Sequence, residues 1–180
     1  MTPGPQRVIV LGVGNPLMQD DGVGVWALSE LAARYELPSV VRLVDGGVSG
    51  FAWLDELADA ELLLIVDAVR GSESPGTLCW LTPEELADRL GPVLSAHDVT
   101  LADVLAMARL LNQLPPTRIL GVQTTEGQQV GLELTPVLRR ALPSVAAALA
   151  DELHRLGLAA SRKAPPSEAE VQPSPGEQKP

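Results

Sequence analysis

The sequence predicts an α/β fold: a single three-layer domain whose mostly parallel, twisted central sheet of about five strands carries helices on both faces. Three observations predict it. Four short runs, Val8–Leu11, Val40–Val44, Leu62–Val66 and Ile119–Val122, are almost wholly aliphatic, as strands are when both faces of a parallel sheet are covered. Segments with helical spacing lie between them, and strands alternating with helices imply right-handed crossovers. At 180 residues and 46% hydrophobic, the chain can build one substantial core.

The elements follow in order. Val8–Leu11 ends in the glycine turn Gly12-Val13-Gly14-Asn15, and a helix over Val23–Tyr35 follows. Val40–Val44 leads to a helix over Phe51–Ala58 with Ser49 at its N-cap. Thr77–Leu81 is a weaker fifth strand, placed at an edge. It contains the single cysteine, Cys79, which reads as a small buried hydrophobe. Thr82-Pro83-Glu84-Glu85 is a capping box with Pro at the first helical position. Leu101–Leu114 is apolar at helical spacing and is stopped by Pro115-Pro116. Thr135-Pro136 opens a last helix running to about Leu156, bent or broken near Pro143, with Gly157 as C-cap. Residues 1–160 form the domain. The last twenty, SRKAPPSEAEVQPSPGEQKP, are rich in Pro, Ser and Glu and read as a disordered tail over 161–180.

Composition narrows the function. A formal net charge of −10 disfavours nucleic acid, whose phosphates demand Lys and Arg. Its plainest consequence is solubility. One cysteine allows no disulfide within the chain. The N-terminal MTPGPQR lacks the apolar core of a signal peptide, and no apolar run approaches the roughly 20 residues needed to span a bilayer. The chain reads as a cytoplasmic monomer.

In open parallel sheets ligands bind outside the carboxyl ends of the strands. Three such ends carry an acid: Asp21 in the loop after the first strand, Asp45 after the second, and Asp67 after the third. His97 precedes the helix from Leu101. Each has a plainer reading, since an Asp after a strand often caps a helix or closes a turn. His97 alone more often satisfies a local hydrogen bond, and His154 reads as a surface residue. The glycine turn itself suggests a phosphate cradle, but the dinucleotide fingerprint needs a third glycine where this chain has Leu17. Asp20 and Asp21 occupy the approach to the helix N-terminus and repel a pyrophosphate. A cation or a basic peptide suits that loop better. There is no H-E-x-x-H motif, and Gly47-Val48-Ser49-Gly50-Phe51 lacks the last glycine of a nucleophile elbow. Asp, Asp and His make an oxygen–nitrogen set that suits borderline divalent metals such as nickel or zinc.

Together these residues resemble the hydrogenase maturation proteases. The matching pieces are Gly12-Val13-Gly14-Asn15-Pro16-Leu17 with Asp20-Asp21-Gly22-Val23-Gly24, then Asp45-Gly46-Gly47, Ile65-Val66-Asp67-Ala68, Ser95-Ala96-His97 with Leu101-Ala102-Asp103-Val104-Leu105, and Leu134-Thr135-Pro136. The likeness runs from about Val8 to Leu156. It implies an endopeptidase that removes the C-terminal extension of the nickel–iron hydrogenase large-subunit precursor after nickel insertion. It implies that Asp21, Asp67 and His97 are the metal-contacting and catalytic residues, with Asp45, Asn15 and Asp20 in support. The family often has Glu where this chain has Asp21, so the reach to a metal is one methylene shorter. Nickel, supplied by or shared with the substrate, would complete an open site, which makes cleavage a check on insertion. Such a site can position the scissile bond, polarise a carbonyl, lower the pKa of a water, or use an Asp as general base. The alternative is a non-catalytic, nickel-dependent checkpoint or chaperone module binding the same precursor. A nucleotide-binding α/β enzyme stands behind both.

Overall fold

The computed structural model describes residues 5–48, 50–57, 59–90, 100–124 and 129–164. In chain order the elements are β1 (Val8–Val13), a short 3-10 turn (Gln19–Gly22), α1 (Val23–Arg34), β2 (Tyr35–Glu36), β3 (Val41–Gly47), α2 (Leu54–Leu57), β4 (Leu62–Val69), β5 (Leu78–Leu81), α3 (Pro83–Leu90), α4 (Leu101–Leu110), β6 (Thr117–Gln123), α5 (Pro136–Arg155) and β7 (Ser161–Arg162). The main sheet has five strands in the order β3-β1-β4-β6-β5. The first four are parallel, and β5 closes the far edge antiparallel to β6. The chain steps from β1 to one side to make β3, then crosses back to make β4 on the other. The strand order therefore reverses between β1 and β4, which opens a crevice at their carboxyl ends.

Strand alternation divides the core in two. Val8, Val10, Leu64, Val66, Leu120 and Val122 face α1 and α5, where they pack with Leu31, Leu138, Val145 and Leu149. Ile9, Leu11, Leu63, Ile65 and Ile119 face the other way, against Trp53, Leu57, Leu86, Val104 and Leu105 from α2, α3 and α4. Asp67 has the parity of Leu63 and Ile65, so it belongs to the side of α2, α3 and α4.

The capping box holds: Thr82 N–H donates to Glu85 at 2.7 Å and Glu85 N–H to Thr82 Oγ1 at 3.2 Å. A second box, Thr100 with Asp103, starts α4. Gly157 ends α5 at φ +81. Its N–H bonds His154 O at 3.0 Å and the Leu158 N–H bonds Leu153 O at 2.9 Å, a Schellman closure.

Several expectations change. α5 is neither broken nor interrupted at Pro143. Proline removes one hydrogen bond there, while Leu138, Leu142, Val145, Ala146 and Leu149 hold both flanks against the sheet. The helix expected over Phe51–Ala58 shrinks to Leu54–Leu57, because the segment turns through i→i+3 bonds and buries only Trp53 and Leu57. Ser49 and Ala58 lie outside the described residues. α4 ends at Leu110 rather than Leu114, where Asn112 adopts φ +54. Ser161–Arg162, expected in the tail, form the strand β7. Ser161–Arg162 pair antiparallel with Tyr35–Glu36, and Lys163 N–H bonds Arg34 O at 2.7 Å. Among the described residues no helix is long and apolar enough to cross a membrane.

The first turn of α1 lies directly on the ends of β1 and β4. A Cβ at Gly24 would stand 2.3 Å from both Val13 O and Val66 O, and one at Gly12 would stand 2.4 Å from Gly24 O. All three obstacles are backbone. Gly24→Ala is therefore expected to cost at least about 3 kcal/mol of stability, read as a lowered urea midpoint. An unchanged midpoint would show that α1 can back away freely from the sheet.

Candidate active site

The loop after β1 brings an acid back to the crevice. Gly14 sits at φ +126, and a Cβ there would lie 1.8 Å from Asp21 O, so only glycine allows the loop to fold onto itself. Asn15 shapes the turn: its Oδ1 accepts the Leu17 N–H at 3.0 Å and its carbonyl accepts the Met18 N–H at 2.9 Å. The Asn15 N–H in turn donates to Asp21 Oδ2 at 2.9 Å. Asn15 thus supports the site by fixing where Asp21 stands.

The two neighbouring acids divide. Asp20 is buried, with Oδ1 accepting the Thr135 N–H at 2.8 Å and Oδ2 the Thr135 hydroxyl at 2.9 Å. It ties the loop to the N-cap of α5. Gln19 N–H to Gly131 O and Gly131 N–H to Leu17 O, at 2.9 and 3.0 Å, add a second tie. Asp21 lines a cavity of about 510 Å³ outside the β1 and β4 ends, together with Asp67.

Asp67 sits near the carboxyl end of β4, enclosed except towards the cavity. Its pKa is raised from 3.8 to about 7, chiefly by burial; the Ala68 N–H lowers it and the nearby Asp21 charge raises it. The two carboxylates are therefore close enough to feel each other. Asp45 stands apart. It is exposed, its Oδ1 accepts the Gly47 N–H at 2.9 Å, and it borders an adjoining hollow with Trp53 and Glu56. Its local role is to close a turn. His97 lies outside the described residues, although Thr100, Leu101 and Val104 of the α4 segment line the cavity wall.

Sequence reasoning missed other lining residues. Met18, Arg70, Arg89, Thr124 and Gln129 all reach the cavity. Gln123 and Thr124 are buried polar residues at the end of β6. The Gln123 side chain donates to Gly71 O at 3.2 Å and so holds the loop after β4. A polar Gln-Thr-Thr ending to an apolar strand was the available signal. Cys79 is only partly buried, with its thiol against Gly121 O and the Arg89 guanidinium, both at 3.7 Å.

The donor chemistry fits a divalent cation. Two carboxylates crowd one cavity, and a cation relieves both their repulsion and the burial of their charge. Among the described residues no third His, Cys, Asp or Glu completes a ligand cluster, so this carboxylate pair leaves positions for ligands from elsewhere.

These features define a doubly wound α/β protein with an acidic site at its topological switch point. The sequence matches a family model described as hydrogenase maturation protease over residues 25–152. It is 34% identical over 172 residues to the hydrogenase expression/formation protein HupD of Rhodobacter capsulatus, covering 94% of this chain and 82% of that one. It is 36% identical over 148 residues to the hydrogenase 2 maturation protease of Escherichia coli K12, covering 79% and 90%. The solved hydrogenase maturating endopeptidase HybD of E. coli superposes with a TM-score of 0.77 at 32% identity, covering 87% of this chain and 98% of that one. The chain belongs to the hydrogenase maturation protease family, whose members are peptide-bond hydrolases.

The raised pKa of Asp67 makes a stability prediction. Its folded-state value lies above the unfolded one, so the folded protein binds this proton better. That advantage is full below about pH 4 and is lost as pH rises through about 7. Asp67→Asn, which never ionises, is expected to raise the melting temperature of chelator-treated protein at pH 8.5, by up to a few kcal/mol of stability. The gain should shrink steadily towards pH 5. A pH-independent difference would show that the carboxylate is well solvated.

Proposed function

We propose that this protein is an endopeptidase that removes the C-terminal extension of a nickel–iron hydrogenase large-subunit precursor, and that it recognises the nickel already carried by that substrate. The observation that supports this best is the convergence of Asp21 and Asp67 from separate strand ends on one cavity, with Asp67 held near neutrality. Family membership supplies the reaction class.

The chain's own residues divide the work. Asp21, oriented by the Asn15 N–H, offers a fixed negative charge at the cavity. Asp67 offers a carboxyl whose affinity for a proton suits transfer near neutral pH. While it is not coordinating a cation it can take a proton from an attacking water and return it to the leaving amine, so the two transfers of peptide hydrolysis balance at one group. His97 stands with these two acids in the proposed set. Substrate nickel, when bound, would take ligands from Asp21, Asp67 and His97 and hold the scissile bond against them. A precursor without nickel would lack that anchor, which makes cleavage conditional on insertion.

Nickel-loaded precursor mixed with the protein should lose the mass of its extension by mass spectrometry, while nickel-free precursor should not. Asp21→Asn and His97→Ala should each reduce cleavage at least about a hundredfold, with unchanged circular dichroism. Wild-type cleavage by either variant removes that residue from the set. Precursor that is bound but never shortened would make the protein a non-catalytic checkpoint module instead.

A further inference from the structure

The cavity that holds the two acids also holds two guanidinium groups. Arg70 follows the end of β4, three residues beyond Asp67, and Arg89 lies in the last turn of α3; both line the cavity and both are exposed. The chain carries 23 acidic residues against 13 basic ones, and seven other arginines are ion-paired. Among the described residues neither Arg70 nor Arg89 has a carboxylate partner. Arg89 instead lies against the Cys79 sulfur at 3.7 Å, which helps to hold it in place.

We infer that Arg70 and Arg89 form a carboxylate-binding wall of this cavity that takes an acidic group of the polypeptide being cut. The inference rests on the peptidase reading given above. A net charge of −10 repels an acidic peptide from most of this surface, so the wall is a local exception placed beside the scissile site. Guanidinium is suited to the task, because its fork of N–H donors matches a carboxylate with two hydrogen bonds. Position sets the register. Arg70 stands three positions beyond Asp67, just past the end of β4, about 10 Å at about 3.3 Å per residue. An extended substrate spans that distance in about three residues. Allowing for the length of an arginine side chain, the bound carboxylate belongs within about five residues of the scissile bond. The cavity wall thus carries both carboxylates and guanidiniums. A substrate with a cation at the scissile end and an acid further along fits in one direction only. The carboxylate can come from an acidic side chain or from the C-terminus of a short extension.

Peptide binding and cleavage test this separately. The probes are fluorescent synthetic peptides spanning the precursor's cleavage region and extension, in three forms: unaltered, with acidic side chains replaced by their amides, and with an amidated C-terminus. Wild-type protein should bind the unaltered peptide at least about tenfold more tightly than an Arg70→Gln/Arg89→Gln variant, with the difference shrinking in high salt. Arg140→Gln, on an exposed part of α5 away from the cavity, should bind like wild type. Loss of binding by the side-chain amide peptide assigns the carboxylate to a side chain, and loss by the C-terminal amide assigns it to the terminus. In the cleavage assay the double variant should raise KM far more than it lowers kcat. Equal binding of all three peptides by wild type and double variant overturns the carboxylate wall. Failure of the wild-type protein to cleave nickel-loaded precursor would overturn the peptidase reading instead, and the binding comparison would still decide the wall.

Discussion

The contact on which the rest depends is backbone against backbone: the first turn of α1 pressed onto the ends of β1 and β4. Gly24 meets Val13 O and Val66 O, and Gly12 meets Gly24 O, at distances that leave no room for a side chain. Dense packing makes such an approach sensitive to a single methyl group. Its consequence is positional. With α1 seated there, the chain between Val13 and Val23 must rise above the sheet edge and fold back, and Asp21 is delivered over the point where β1 and β4 diverge. A dinucleotide site uses its third glycine to let helix and strand come close. Here Gly24 takes that part, and the longer loop it permits fills the phosphate position with carboxylates.

That loop is stable because its two acids do different things. Asp20 turns inward to the cap of α5 and satisfies its own burial with two hydrogen bonds from Thr135. The loop is thereby tied to the longest helix of the domain, which is itself packed against α1. Asp21 stays at the cavity, where it accepts the Asn15 N–H of the same loop. Removing the Asp20 carboxylate would leave the Thr135 N–H in a buried setting without its partner, a loss of the kind that costs more than the bond itself contributes. The adjacent aspartates thus differ in what they face: Asp20 the cap of α5, Asp21 the cavity.

Much of this could be read from the sequence, for identifiable reasons. The buried strands were legible because a sheet covered on both faces needs continuous aliphatic runs, and Val8–Leu11, Leu62–Val66 and Ile119–Val122 supply them. The Thr82–Glu85 box was legible because its bonds are local. Asp67 stood out as a charge ending an apolar strand. What sequence could not carry was tertiary. Local rules favour a break at Pro143, yet flanking burial holds α5 intact. Asp45 and Asp67 look alike as strand-end acids, and only the strand order separates them: β4 borders the switch point and β3 is the outer strand. Arg70 and Arg89 carry no motif at all. They are 19 positions apart and share a cavity only because α3 folds back over the β4 side of the sheet.

The cavity is electrostatically unfavourable when considered alone. Burial, with a smaller push from the Asp21 charge, raises the pKa of the Asp67 carboxyl to about 7, and two guanidiniums face the same space without acidic partners among the described residues. Folding energy from the two apolar layers offsets the burial of the Asp67 carboxyl. Strain of this kind is relieved only by a ligand with the opposite pattern, and the relief is then available as binding energy. A ligand bearing only a cation relieves half of it, and one bearing only a carboxylate relieves the other half. On the proposed reading, discrimination arises because one polypeptide must present both at a fixed separation. A cavity that was neutral by internal pairing would bind more weakly and select less, because each partner would first have to be displaced. On the proposed reading, the charged groups that line the cavity therefore serve selection more than stability.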